Sequence, residues 1–268
     1  MENIVQARKY ALVTGASSGI GRELAALLAR EGYALVLVAR RTEPMQALAA
    51  QLEQAHGTTS VVVGADLGSP EGVRSVVREV TERQLEIDVL VNNAGFGLAG
   101  PFTELPNEPQ LGMIDLNIRA LTALTRELVP AMVARRRGYV LNVASSAAFQ
   151  PGPLMAVYYA SKAYVLSFSA ALHEELRGSG VKVTALCPGF TETEFAARAA
   201  EHQKPRLFSG PLGKLDARQV AEAGYRALKQ GRAVVVPGFT NRLGAWFAPV
   251  TPLAVKLRIT RYFNASES

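Results

Sequence analysis

The sequence predicts an α/β fold in which seven parallel strands form one doubly wound sheet with helices on both faces. Short β-branched or apolar runs alternate along the chain with longer helical patterns, as in proteins whose parallel sheet is covered on both sides. The 268 residues are enough for one such domain, so we expect a single domain over residues 1–268. Right-handed crossovers would gather ligands at the carboxyl ends of the strands.

Seven short runs rich in Val, Leu and Ala are predicted as the strands. They are YALVT (10–14), ALVLVA (34–39), SVVVGA (60–65), VLVN (89–92), YVLNVA (139–144), KVTALC (182–187) and AVVV (233–236). Helical patterns cover residues 19–31, 43–55, 71–84, 109–136, 158–177 and 217–230, with a shorter helix expected after Thr193. The remaining regions are a flexible N-terminus at 1–9, a substrate-loop region at 190–215 and an apolar C-terminal extension at 238–268.

Composition and charge exclude several classes of protein. Hydrophobic residues make up 49% of the chain and charged residues 19%, as in ordinary globular proteins. The excess of six positive charges is scattered, and its densest clusters, 135–137 and 40–41, are not interleaved with stacking aromatics, so no nucleic-acid partner is expected. No apolar run reaches the ~18 residues of a transmembrane segment. The first residues lack a signal-peptide pattern, so we expect a cytoplasmic protein.

The cysteine and histidine residues do not form a recognisable site. Cys187 has no partner for a disulfide within the chain, which fits a reducing compartment. It lies in an apolar strand pattern, so a buried structural thiol is favoured over a reactive one. His56, His173 and His202 show no ligand spacing, and no metal site is predicted.

A glycine-rich turn follows the first predicted strand. The segment TGASSGIG places Gly15, Gly19 and Gly21 at the spacing G-x-x-x-G-x-G. A turn this tight needs residues without a Cβ, which bend the chain and let its amides approach a diphosphate at the start of the next helix. The alternative is a plain strand-to-helix turn. Because an apolar strand precedes the glycines and an amphipathic helix follows them, we favour dinucleotide binding in a Rossmann-type fold.

The end of the second predicted strand indicates which dinucleotide is bound. An NAD-binding site usually offers a carboxylate to the adenosine ribose here, but no acidic residue occurs from position 32 to position 42. The guanidinium of Arg40, helped by Arg41 or Arg22, could instead bond a 2′-phosphate with two donors. We therefore expect NADP as the cofactor, with NADPH preferred over NADH. Two solvated arginines leading into a helix are the alternative.

The segment YYASK (158–162) contains the best candidate for an acid or base. Tyr158 has Lys162 one helical turn away, whereas Tyr159 has Ala163 at that position. A nearby ammonium favours the phenolate, so we expect Lys162 to lower the pKa of Tyr158 and let the phenol exchange a proton. The serines at 145 and 146 follow the fifth strand and could polarise a substrate oxygen.

Together these motifs resemble the short-chain dehydrogenase/reductase family over nearly the whole chain. The matching elements are TGASSGIG, Asp66, NNAG (92–95), Asn117, the serine, YYASK and PGFTET (188–193). The family places its catalytic serine thirteen residues before the tyrosine, which selects Ser145 over Ser146. The resemblance implies that Tyr158 is the general acid/base and that Ser145 holds the substrate oxygen. It also implies that Lys162 bonds the nicotinamide ribose and that the Asn117 carbonyl holds a water linking Lys162 to solvent.

The resemblance also implies a set of cofactor-binding residues, an activity and an oligomer. The set is Gly15, Ser17, Ser18, Gly19, Ile20, Gly21, Arg40, Arg41, Asp66, Leu67, Asn93, Ala94, Gly95, Tyr158, Lys162, Gly189, Thr191 and Thr193. The activity is hydride transfer between NADP(H) and a carbonyl or secondary alcohol of a small molecule, and the sequence looks most like a bacterial NADP-dependent group with poorly defined substrates. Helices 109–136 and 158–177 pair between subunits in the family, so a homodimer or homotetramer is expected.

Apolar side chains near these motifs suggest a pocket for an apolar ketone, aldehyde or secondary alcohol, although core packing would explain many of them equally well. The candidates are Phe96, Leu98, Phe102, Phe149, Met155, Phe190 and Phe195, with Phe208 or Trp246 closing from above. The apolar tail at 243–257, interrupted by two prolines, could form a substrate lid, a subunit contact or a membrane-surface patch. The first two are favoured.

Two other functions are weaker. A catalytically silent NADP-binding module for redox sensing or scaffolding would not need the intact set of Ser145, Tyr158 and Lys162. A hydrolase with Ser145 as its nucleophile would need a G-x-S-x-G elbow and a suitably placed histidine, and the sequence has neither.

Overall fold

One parallel sheet of seven strands forms the centre of this computed structural model, which describes residues 8–191, 193–209 and 215–266. The strands are β1 (Tyr10–Thr14), β2 (Ala34–Ala39), β3 (Ser60–Gly64), β4 (Ile87–Asn92), β5 (Gly138–Val143), β6 (Val181–Leu186) and β7 (Val234–Val235). Their order in the sheet is β3-β2-β1-β4-β5-β6-β7, and every pair is parallel. The predicted fold class is confirmed, and the predicted strand ends differ from these by at most two residues.

Eleven α-helices connect or follow the strands in the described residues. They are α1 (Gly19–Arg30), α2 (Glu43–His56), α3 (Pro70–Glu82), α4 (Asn107–Ile114), α5 (Leu121–Ala134), α6 (Ala156–Glu175), α7 (Glu194–Ala199), α8 (Arg206–Ser209), α9 (Ala217–Gln230), α10 (Phe239–Phe247) and α11 (Leu253–Asn264). A π-helical segment, Asp115–Ala120, joins α4 to α5, and a short 3₁₀ helix, Ser146–Phe149, follows β5.

The structure adds detail that the sequence patterns did not reveal. The predicted helix at 109–136 is one helical run in three parts, since a π-helical segment interrupts it. Helices α8, α10 and α11 were not predicted. Pro249 and Pro252 lie between α10 and α11, because a proline interrupts the hydrogen bonds of a continuing helix.

Alternate residues of the strands supply two separate cores. In β1, Ala11 and Val13 pack under α1, α2 and α9, whereas Leu12 packs with α3 and α5 on the opposite face. This alternation follows from the period of two in an extended strand. Every residue of β2 is buried because helices cover both faces, which explains its unbroken apolar sequence. The loops that leave the carboxyl ends therefore emerge at one edge of a rigid layer.

Some regional predictions extend beyond the described residues. Residues 1–7 of the predicted flexible N-terminus, Glu192 and residues 210–214 of the substrate-loop region, and residues 267–268 of the extension lie outside them. These regional roles stay predictions, as do the homodimer or homotetramer and the cytoplasmic location. Among the helices of the described ranges, none combines the length and hydropathy needed to cross a bilayer.

Candidate active site

A cavity of about 810 Å³ lies at the carboxyl edge of the sheet. Its walls come from the glycine turn after β1, the ends of β2 to β6, and helices α6, α7, α8, α10 and α11. This volume lies within the range of about 300–1,000 Å³ that is typical of ligand and cofactor sites. The position also agrees with the rule that open parallel sheets bind ligands outside the carboxyl ends of their strands.

The structure brings nearly all the predicted site residues into this one cavity. The predicted residues in its walls are Gly15, Ser17, Ser18, Gly19, Ile20, Arg40, Arg41, Asp66, Leu67, Asn93, Ala94, Gly95, Ser145, Tyr158, Lys162, Gly189, Thr191 and Thr193. The other two predicted residues, Gly21 and Asn117, lie behind the walls. Residues scattered over almost two hundred positions of sequence thus converge on one site.

The glycine turn has the geometry that a bound diphosphate requires. Gly15 has a φ of +67°, a conformation that favours glycine. A Cβ at Gly21 would overlap the Gly15 carbonyl oxygen and the Asn93 amide, so close packing of α1 on the turn excludes a larger residue. Ser18 precedes α1 in an extended conformation, and its side chain does not cap the helix. The first-turn amides are thus uncapped at the cavity edge, where they fit a phosphate group.

Hydrogen bonds from the NNAG segment hold this turn in place. The Thr14 hydroxyl accepts bonds from the backbone amides of Asn93 and Ala94, at 2.9 and 3.0 Å. The Asn93 side-chain amide donates to the carbonyl oxygens of Thr14 at 2.9 Å and Gly15 at 3.3 Å. The ends of β1 and β4 are therefore tied together on both sides of the turn.

The two adjacent tyrosines of α6 have different environments. Tyr159 donates its hydroxyl hydrogen bond to Asn264 Oδ1 of α11 at 3.1 Å, so that hydroxyl is engaged in holding the C-terminal helix. Tyr158 is buried, lies near enough to Ser145 for that serine to affect its pKa, and packs its ring on Phe195 at a centroid distance of 5.3 Å. Ser145 Oγ also accepts a hydrogen bond from the Ala147 amide at 3.1 Å. The Tyr159 hydroxyl thus makes a structural contact with α11, whereas Tyr158 lies with Ser145 in the cavity wall.

Lys162 lies one turn below Tyr158 and is almost completely buried. Its Nζ donates to the Val143 carbonyl oxygen at 2.8 Å and lies 5.9 Å from the centroid of the Tyr158 ring. Burial lowers the pKa of Lys162 to about 8 because a charged ammonium is disfavoured away from water.

The expectation that Lys162 lowers the pKa of Tyr158 is wrong for this structure. Burial raises the pKa of Tyr158 above its ordinary value, and the nearby Ser145 side chain only partly opposes the rise. The reason is geometric, since the Lys162 ammonium is directed to Val143 and lies under the ring. The phenol therefore holds its proton in this form, which suits a proton donor better than a resting base.

Asn117 supports the cavity wall through its side chain. It lies in the π-helical segment, where its amide donates to the Phe96 carbonyl oxygen and to Ser161 Oγ, both at 3.0 Å. Its Oδ1 accepts from the Phe96 amide at 3.1 Å. These bonds fix the loop after β4 against α6. The predicted water held by the Asn117 carbonyl stays a prediction.

The two arginines at the end of β2 are not equivalent. Arg41 forms an ion pair with Glu194 of α7, and both side chains are more than half exposed. Arg40 and Arg198 both lie in the cavity wall. Burial lowers the pKa of Arg198, and the positive charge of Arg40 adds to this effect. Arg22 instead donates to Gln51 at 3.3 Å. Arg40 and Arg198 are thus the two positive groups best placed for a phosphate.

The predicted pocket residues divide into two groups. Phe96, Met155, Phe190, Phe195 and Phe208 lie in the cavity walls, and Phe190 stacks on Phe208 at 4.9 Å. The prediction is wrong for the three residues that pack elsewhere or face outward, which are Leu98, Phe102 and Phe149. Of the two alternatives for closing the pocket, Phe208 lies in the wall and Trp246 is exposed.

Several wall residues were missed by sequence reasoning. They are Arg198 and Gln150 together with Gly244, Ile259, Thr260 and Phe263 of the C-terminal helices. The only available signal was the apolar composition of the tail, which does not say which side chains turn inward. Cys187 is buried as predicted, and burial raises its pKa to about 12, so the thiol stays protonated.

Known proteins resemble this chain in both sequence and fold. A family model described as short chain dehydrogenase matches residues 9–204. A very-long-chain 3-oxoacyl-CoA reductase from Anas platyrhynchos is 36% identical over 191 residues, which are 70% of this chain and 61% of that protein, so the match spans less than two thirds of its length.

The similar solved structures include the following two, each of which covers most of the chain. A short-chain dehydrogenase from Sphingobium yanoikuyae in complex with NADPH has a TM-score of 0.80 at 33% identity, covering 94% of this chain and 96% of that one. A bulky-bulky ketone specific alcohol dehydrogenase from Comamonas testosteroni has a TM-score of 0.76 at 29% identity, covering 91% and 94%.

Proposed function

The chain belongs to the short-chain dehydrogenase/reductase family and is an oxidoreductase of C=O or CH–OH groups, and we propose that it reduces apolar ketones with NADPH, using Tyr158 as the general acid. The observation that carries this proposal is that Tyr158 and Ser145 lie in the wall of the same cavity, which also contains the glycine turn. The complex of the Sphingobium neighbour with NADPH supports NADP as the cofactor.

The proposed reaction adds a hydride to the carbonyl carbon and a proton to its oxygen. NADPH, when bound, supplies the hydride. Ser145 would donate a hydrogen bond to the carbonyl oxygen and orient it toward Tyr158. Tyr158 would then transfer its phenolic proton to the oxygen as negative charge develops there, which leaves an alcohol and a phenolate. Lys162 would bond the nicotinamide ribose beside Tyr158, and the reverse reaction would use the phenolate as the base.

The shape and polarity of the cavity support an apolar substrate. The wall beyond Tyr158 is formed by Phe195, Phe190 and Phe208, and Ile259 and Phe263 of α11 extend it toward the outside. Such a lining favours a hydrocarbon body and leaves Ser145 and Tyr158 to fix the position of one oxygen. The Comamonas neighbour, which is specific for bulky-bulky ketones, supports a substrate with two large substituents.

The proposed function is tested by mixing the protein with NADPH and a panel of ketones and aldehydes of increasing size, following the loss of near-ultraviolet absorbance of the reduced cofactor. We expect the fastest turnover with bulky apolar ketones. A charged sugar ketone serves as the control compound, and we expect it to be reduced slowly. Tight NADPH binding without turnover of any carbonyl or alcohol would instead support the catalytically silent module and contradict this proposal.

Arg40→Asp should change the cofactor preference. We propose that Arg40 bonds the 2′-phosphate, so a carboxylate at this position would repel NADPH and leave NADH almost unaffected. We expect NADPH to bind at least about tenfold more weakly, because charge-assisted bonds to a phosphate contribute roughly 1.5–3 kcal/mol. Titrations of both cofactors by fluorescence measure the change.

The matched control for this experiment is Arg74→Asp. Arg74 is an exposed arginine of α3, outside the cavity, and its replacement makes the same change in net charge. We expect both cofactors to bind the control as they bind the original protein. Equal losses of NADPH and NADH in Arg40→Asp would remove the case for 2′-phosphate recognition.

A further inference from the structure

An apolar surface covers the outer side of the two C-terminal helices. We call it the tail face and define it as the exposed residues Phe239, Leu243, Trp246, Phe247, Val250, Leu253, Val255, Ile259, Tyr262 and Phe263. These are ten of the fourteen large apolar side chains that are exposed in the described residues. A concentration of exposed apolar side chains in one part of a protein indicates contact with something other than water.

Helix α11 has inverted polarity compared with an ordinary surface helix. Its buried side is polar, since Thr260 donates to the Pro151 carbonyl oxygen at 3.0 Å and Asn264 donates to that of Pro153 at 2.9 Å. Ile259 and Tyr262, on its other side, are exposed. A surface helix of a globular protein normally turns its apolar stripe inward. Hydrogen bonds therefore hold α11 in place, and its apolar side is left facing outward.

Helix α10 shows the same inversion. None of its residues is buried, and Phe239 and Trp246 are 76% and 74% exposed. Its inward side carries Asn241, which donates to the Pro237 carbonyl oxygen at 3.1 Å and packs directly on Gly189, where a Cβ would overlap its amide. Most large apolar side chains of both helices are thus exposed, and polar residues attach the helices to the rest of the protein.

The charge around the tail face identifies the partner that fits it. The sequence contains no aspartate or glutamate between positions 222 and 267. The two helices carry Arg242, Lys256, Arg258 and Arg261. A two-fold contact between two tail faces would bring these cations together without any acidic partner from the same helices. A partner with an apolar interior and a negatively charged surface would complement both the exposed apolar side chains and the basic residues.

We propose that the tail face docks on an anionic phospholipid bilayer, with α10 and α11 lying in the plane of the interface. Exposed Trp and Phe side chains beside Lys and Arg are the composition of helices that insert their apolar side at the headgroup boundary. The basic residues would contact anionic headgroups, whose attraction falls off within a Debye length.

The proposal has a consequence for access to the cavity. Gly244, Ile259 and Phe263 belong to the two helices and also line the cavity. On a bilayer, the mouth between them would open toward lipid, and an apolar ketone dissolved there could enter without crossing water. This consequence rests on the proposed function, whereas docking itself does not.

The fluorescence of Trp246 tests the docking directly, because it is the only tryptophan of the chain. The full protein is mixed with vesicles of phosphatidylcholine alone or of an equal mixture with phosphatidylglycerol. We expect the emission to move to shorter wavelength with the mixed vesicles and to be quenched by lipids brominated in their acyl chains. Partition should be at least about tenfold weaker without the anionic lipid or in high salt. Unchanged emission and no co-sedimentation with the mixed vesicles would overturn the proposal.

Two variants separate the tail face from other exposed apolar residues. Phe239→Ser combined with Val250→Ser, both at positions that are 76% exposed, should weaken partition into mixed vesicles by at least about tenfold. The matched control Phe102→Ser changes an exposed phenylalanine outside the tail face and should bind like the original protein. NADPH binding, which needs no turnover, checks that each variant is folded. The proposal fails if the double variant still binds the vesicles. It also fails if light scattering without lipid gives a lower mass for the double variant than for the original protein, because the tail face would then serve another partner.

Discussion

Tyr158→Phe is expected to lower kcat for ketone reduction by about 10²–10⁴-fold, the range that general acid catalysis typically contributes. The replacement removes the only atom of this side chain that can deliver a proton and keeps the ring that packs on Phe195. NADPH should bind nearly as well as before, because the glycine turn and Arg40 are untouched. Single-turnover absorbance measurements and a separate NADPH titration distinguish the two effects.

The neighbouring tyrosine provides the control for this prediction. Tyr159→Phe also removes one phenolic hydroxyl from α6, but that hydroxyl bonds Asn264 of α11. We expect a loss in the free energy of unfolding of about 0.5–1.5 kcal/mol, with kcat within severalfold of the original value. Full activity in Tyr158→Phe, or an inactive but folded Tyr159→Phe, would show that the acid has been assigned to the wrong residue.

Gly21→Ala is expected to disrupt the proposed cofactor site by changing how α1 packs on the glycine turn. The added Cβ would overlap the Gly15 carbonyl oxygen and the Asn93 amide, neither of which is the free end of a flexible side chain. The start of α1 must therefore move away from the turn, which we expect to cost about 1–3 kcal/mol in the free energy of unfolding. Displaced first-turn amides should also weaken NADPH binding by at least about tenfold. Thermal unfolding with and without NADPH measures both quantities.

Gly112→Ala is the matched control for this change. Gly112 lies inside α4, and a Cβ there would meet Phe96 at 3.6 Å, an ordinary van der Waals distance. Alanine favours the helix over glycine by about 1 kcal/mol, so the control should be neutral or slightly stabilising. Unchanged NADPH affinity in a folded Gly21→Ala protein would contradict the importance assigned to this close approach.

Much of the fold could be predicted because its signals are local in the sequence. Strand β2 is buried on both faces, so its six apolar residues have a clear pattern, and its predicted ends match the structure. The segment after β1 needs glycine at Gly15 and Gly21 for backbone reasons that any sequence with this turn must satisfy. The spacing of Tyr158 and Lys162 identifies one helical face in the same way.

The properties of the site depended on contacts between distant segments. Burial raises the pKa of Tyr158, and nearby Ser145 only partly opposes the rise. The Lys162 ammonium donates a hydrogen bond to Val143, a strand residue nineteen positions earlier. Arg41 is engaged by Glu194, whereas Arg40 and Arg198 line the cavity without that ion pair. No periodicity or spacing encodes such partners, because they are chosen by how the loops fold over the sheet edge.

The C-terminal extension gives the clearest division between sequence and structure. Its apolar composition and its lack of acidic residues are visible in the chain, but composition alone did not distinguish a lid, a subunit contact or a membrane surface. Only the tertiary structure turned Thr260 and Asn264 inward and Trp246 outward. The physical reason is that residue type sets the cost of meeting water, whereas the packing of a helix against the rest of the protein decides which of its sides must meet it.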